Sequence, residues 1–93
     1  IPPGIYTLNG VRTSINGKNG NSAARIFLRA NTPRSVTLRW VGVVNSYVEG
    51  FLLTNSAYWT IENLILESDC SALSSDNWCE HVLHVVGSSD NFI

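Results

Sequence analysis

At 93 residues the chain has room for one domain with a small core, since domains run to roughly 100–200 residues. Charged residues at 14% beside an apolar 44% exclude intrinsic disorder, which needs few apolar residues and a high net charge. A net charge of −1 leaves no basic surplus for nucleic acid or an anionic membrane, and no apolar run is long enough to span a bilayer.

Ile1-Pro2-Pro3-Gly4 opens the chain in an extended, turn-like conformation, because proline fixes φ and biases the residue before it away from helix. Ile5 to Leu8 then reads as a short strand ending at the turn dipeptide Asn9-Gly10, and Asn16 to Ser22 reads as an exposed loop. Short β-favouring runs follow at Arg25 to Ala30, Ser35 to Trp40, Tyr47 to Thr54, Tyr58 to Leu66 and His81 to Val86, each bounded by Asn, Ser, Gly or Pro. No window carries a capped helical stripe, so the expectation is an all-β chain. No signal-peptide pattern opens it, and the lack of methionine leads us to expect a chain processed or cut from a longer one.

Cys70 and Cys79 lie in a polar stretch with no second pair. One loop disulfide, and with it an oxidising compartment, is the reading we prefer; two free thiols in a reducing compartment are the alternative. A zinc site is not expected, because His81 and His84 would have to join both sulfurs at an unusual spacing.

The β runs also repeat. Ile26-Phe27-Leu28 aligns with Phe51-Leu52-Leu53 at a shift of about 25 residues, and Leu83-His84-Val85 provides a third copy once the longer cysteine loop at residues 68–80 is allowed for. A strand-and-turn repeat of this kind predicts a β-solenoid. Ile26, Leu28, Phe51, Leu53, Ile61, Leu83 and Val85 would stack inward, with Ile61 over Val36 and Ile93 in turn, while Phe27, Arg29, Leu52 and His84 face out. The rival reading is a β-sandwich or small barrel.

Gly4-Ile5-Tyr6-Thr7-Leu8, Gly17-Lys18-Asn19-Gly20, Ala24 to Ala30, Ser35 to Leu38 and Val48 to Leu64 resemble the opening coils of the pectin-lyase-like superfamily. The likeness covers about residues 2 to 66 and is nearest the chondroitinase-B-like and alginate-lyase-like branch. It implies a right-handed parallel β-helix of about three coils, with residues 1–24 an opening strand and Gly/Asn-rich loop and residues 25–93 the coils. It further implies a secreted or periplasmic protein acting on or binding an acidic polysaccharide. The resemblance leaves room for calcium but points to no residue that would hold it. The superfamily's catalytic lysine and arginine belong to later coils and match nothing in this chain, so catalysis by the chain alone is doubtful. A non-catalytic carbohydrate-binding, adhesion or structural module that self-associates through its open end is the alternative. Either missing C-terminal coils or a second copy would cover that end.

Candidate residues follow from side-chain chemistry. Glu80, His81 and His84 form the densest polar cluster; an imidazole can move protons near neutral pH, so these are the candidates for catalysis. The bland alternative is a surface histidine stacked on its neighbours. Trp78 in the cysteine loop is the candidate for stacking on a sugar ring, and Arg29, with Arg25, Arg34 and Arg39, for meeting an anionic chain. Trp40, Trp59 and Tyr58 belong to the same aromatic set, which suits either stacking on sugars or closing a small core; Trp59, beside Ile61, reads as a packed corner.

Overall fold

Strands with β-branched and aromatic residues at alternate positions account for all the regular structure described. The computed structural model describes residues 1–9, 12–43, 47–73, 79 and 81–93. Along the chain run β1 (Gly4–Asn9), β2 (Arg12–Asn16), β3 (Ile26–Arg29), β4 (Val36–Val41), β5 (Gly50–Thr54), β6 (Trp59–Glu62), β7 (Leu64–Asp69) and β8 (Leu83–Val86).

These strands make three short parallel sheets: β1-β4-β7, β2-β5-β8 and β3-β6. Every pairing in them is parallel. A single bridge from Thr60 to Phe92 adds one further contact to the outer edge of β6. Inward side chains meet in one apolar cluster of Trp40, Val48, Phe51, Leu53, Trp59 and Ile61. Ile15, Ile26, Leu28, Leu38, Leu64, Leu66 and Leu83 pack against it, partly buried.

Tight corners separate the strands. Between β6 and β7 a single residue, Asn63, takes a left-handed φ of 63°, and its Nδ2 donates to the carbonyl of Ala30. Asparagine tolerates that conformation better than most residues and here ties two neighbouring corners together. Asn55 does the same after β5, with φ 48° and a hydrogen bond to Oδ1 of Asn16. Gly50 opens β5 at φ 76°, and a Cβ there would sit within 2.7 Å of the carbonyl oxygens of His81 and Val82.

The all-strand expectation matches these elements, but a right-handed β-helix of about three coils with a 25-residue repeat does not form. What forms is three separate sheets of three, three and two strands, with partners 28 residues apart at Val36 and Leu64 and 38 apart at Thr13 and Phe51. Ile26 pairs with Trp59 and Leu28 with Ile61, so the proposed stacks of Ile26 on Phe51, Leu28 on Leu53 and Val36 on Ile61 are all wrong. The cause is β2. Arg-Thr-Ser-Ile-Asn contains one apolar residue and does not announce itself as a strand, yet it is β2 that pairs with β5. Overlooking it laid the third sheet's strand over the second sheet's. The later alignment is correct: Phe51 pairs with Leu83, Leu52 with His84 and Leu53 with Val85. Val85 nevertheless remains 38% exposed, because β8 is an edge strand.

Candidate functional site

The outer face of the β3-β6 sheet carries alternating charge and ring. Strand period two puts Arg25, Phe27 and Arg29 on one side while Ile26 and Leu28 turn into the core. The Arg29 guanidinium lies 4.6 Å from the centre of the Phe27 ring and 3.4 Å from Oε1 of Glu62. Phe27 is 50% exposed, and the Arg29–Glu62 pair is exposed as well. A pair of that kind stabilises the fold by only about 0–1 kcal/mol, so its guanidinium can be recruited by another anion at little cost.

Arg25 is held more firmly. Its Nε donates to Oγ1 of Thr60 at 2.9 Å, and one terminal nitrogen donates to the carbonyls of Trp59 at 2.8 Å and Asp90 at 2.7 Å. The same guanidinium lies over the rings of Phe92, at 4.4 Å, and Tyr58, at 5.8 Å. Phe92 is thereby pinned beside β6 with most of its surface exposed. The result is a row of Arg25, Phe27 and Arg29 flanked by Tyr58 and Phe92.

A second polar cluster lies at the β2-β5-β8 sheet. Arg12 donates to Oε2 of Glu49 at 2.8 Å, which holds the guanidinium pKa above its ordinary value. Oε1 of Glu49 is 3.9 Å from Nδ1 of His84, and the His84 ring stacks on His81 with centres 4.3 Å apart. Glu49 is buried, whereas His81 is exposed. Nδ1 of His84 is buried and makes no hydrogen bond among the described residues. The cluster thus holds a carboxylate between a guanidinium and an imidazole pair.

The remaining candidates fall elsewhere. Glu80 and Trp78 lie outside the described residues. Trp40 and Trp59 are core residues whose indole N–H groups donate to Oγ1 of Thr13 and the carbonyl of Lys18. Arg39 pairs with Glu67 on the first sheet, and Arg34 takes a left-handed φ of 62° at a corner. Cys70 and Cys79 form a disulfide, with Cα atoms 5.9 Å apart. Nearby, the Asp69 carboxylate accepts from the Ser71 hydroxyl at 2.6 Å and the Ser71 backbone N–H at 3.1 Å, which holds its pKa below the ordinary value. Among the described residues no three His, Cys, Asp or Glu side chains gather to hold a metal ion.

Reading the sequence alone left out Arg12, Glu49 and Phe92. Arg12 and Glu49 meet across 37 residues of chain, and nothing local marks either of them. Phe27 could have been found, because the alternation Arg25-Ile26-Phe27-Leu28-Arg29 puts its ring between two guanidiniums once the strand is recognised. No family model, no curated protein and no solved structure matches the chain.

Proposed function

We propose that this chain binds an acidic polysaccharide along the β3-β6 face, in an extracellular or periplasmic setting. The observation that carries the reading is the row Arg25, Phe27, Arg29, in which Phe27 and Arg29 are exposed and Arg25 is half-buried. At a strand rise of about 3.3 Å per residue, the two arginines stand about 13 Å apart with a ring between them. A flat ring offers its face to a sugar, and guanidiniums take carboxylates in paired hydrogen bonds. The disulfide is compatible with an oxidising location.

Affinity electrophoresis through a polyuronate gel, with a neutral polysaccharide gel beside it, tests the proposal. The wild-type chain should be retarded only by the polyuronate. Arg29→Ala should weaken retention about tenfold or more, since a hydrogen bond to a charged group contributes roughly 1.5–3 kcal/mol. Equal mobility in both gels, or an unchanged Arg29→Ala, counts against it. Appearance of unsaturated uronate ends during the run would show turnover in addition to binding.

A further inference from the structure

Basic and acidic residues are segregated along the chain, which the net charge of −1 conceals. Residues 1–31 hold Arg12, Lys18, Arg25 and Arg29 and no acidic residue; residues 64–93 hold Glu67, Asp69, Asp76, Glu80 and Asp90 and no Lys or Arg. Residues between them carry Arg34 and Arg39 against Glu49 and Glu62 and so are neutral. Sheet order turns this sequence into spatial polarity. β1, β2 and β3 form one edge of all three sheets; β7, β8 and the Phe92 bridge beside β6 form the other. Among the described residues, Arg12, Lys18 and Arg29 lie toward the first edge and Glu67, Asp69 and Asp90 toward the second, so the two edges differ in sign. Arg12, Arg29 and Glu67 also pair with charges beside the middle strands, and Arg25 reaches across to the Asp90 carbonyl.

Both edges also expose side chains of otherwise inward columns. Tyr6 lies in the inward column Tyr6-Leu38-Leu66, and Val85 in the inward column Ile15-Leu53-Val85. Leu53, in the middle, is fully buried, yet Tyr6 is 37% and Val85 38% exposed. Phe92 and Ile93 add exposed apolar surface to the acidic end. Each edge strand also presents backbone groups with no strand partner on one side among the described residues, which a further strand can accept.

We propose that the occupant of each end is a second copy of this chain, stacked head to tail, with the β7-β8 edge of one copy against the β1-β2 edge of the next. Opposite charge selects this arrangement. A pairing of two acidic ends or two basic ends sets like charges against each other, while head-to-tail stacking sets the acidic end on the basic one. It also continues the parallel pairing that every sheet already uses. Such a contact does not use the same patch twice, so unless a rotation closes it into a ring it extends as an open chain of copies. The Arg25-Phe27-Arg29 rows of successive copies then lie side by side.

Sedimentation velocity of the 93-residue chain tests this, together with two variants, each checked for a native-like circular dichroism spectrum. Wild-type protein should give a sedimentation coefficient that rises with concentration past that of a dimer. A plateau at dimer, or a monomer at every concentration, would overturn the proposal. Tyr6→Lys blocks the basic end and Val85→Lys the acidic end. Each alone should be monomeric, and an equimolar mixture should form a dimer that grows no further, because only one competent end of each kind remains. Assembly of either variant alone, or a mixture that stays monomeric, would also overturn it.

Discussion

Leu53 and Val85 are paired neighbours in one sheet, the first fully buried and the second more than a third exposed. Position within the stack, rather than side-chain type, sets that difference: Leu53 has Ile15 on one side and Val85 on the other, while Val85 has a neighbour on one side only. Leu53→Ala should therefore destabilise the chain by about 2–5 kcal/mol, through lost transfer energy and an unfilled cavity. Val85→Ala should cost less than about 1 kcal/mol. Urea unfolding midpoints of the two variants check this; equal losses would show that the column is misplaced.

The disulfide should contribute substantially to so small a fold. Closing the loop between Cys70 and Cys79 restricts the unfolded chain by about 2.5 kcal/mol on the chain-entropy account. In a chain of this size that corresponds to a fall of roughly 10–20 °C in Tm for the double Cys→Ser variant, read by calorimetry. A variant melting within a degree or two of wild type would mean that the native state is strained by its own bridge.

Gly50 is constrained twice, by a left-handed φ and by the carbonyls of His81 and Val82 crowding the position where a Cβ would be. Gly50→Ala should cost about 2 kcal/mol or more, since the left-handed conformation alone costs an L-residue roughly 1–2 kcal/mol. Because β8 follows directly on His81 and Val82, hydrogen exchange should quicken in β5 and β8 before the other strands. Uniform quickening across the three sheets would contradict this.

Asp69 gives the acid limb a definite sign. Its two hydrogen bonds from Ser71, with Arg39 nearby, favour the ionised carboxylate and hold the pKa below the ordinary 3.8. Stability from such a group is present in full above the unfolded-state value and is lost as pH falls through the folded one. Asp69→Asn should therefore be less stable than wild type near neutral pH, and the gap should close on acidification below about pH 3.8. Urea midpoints measured at neutral pH and in strong acid decide the matter; a gap that stays constant would assign the loss to altered hydrogen bonding alone.

Legibility in the sequence followed the physics of each residue. Strands with apolar residues at every inward position, such as Phe51-Leu52-Leu53 and Leu83-His84-Val85, disclosed their mutual register. The cysteine pair was readable because loop closure is local. β2 was not readable, because an edge strand exposed at every other residue needs few apolar residues of its own, and its polarity resembles that of the loop after it. The Arg12–Glu49–His84 cluster was hidden for a different reason: its members come from three strand neighbourhoods and share no spacing rule. Arg29 was legible as an outward cation, but its pairing with Glu62 required knowing which sheet β3 joins.

Parallel pairing throughout the three described sheets has a consequence for how the chain acquires its structure. No strand can zip to its sequence neighbour as a hairpin does; β1 waits for β4, β2 for β5 and β3 for β6. Each closure spans a loop of 28 residues or more, whose entropy is lost before any contact repays it. Refolding should accordingly fall in the millisecond-to-second range of non-local β topologies rather than among microsecond folders. During synthesis the first three strands must remain unpaired until residues beyond Val36 emerge, an interval in which Ile5, Tyr6 and Phe27 are open to other chains.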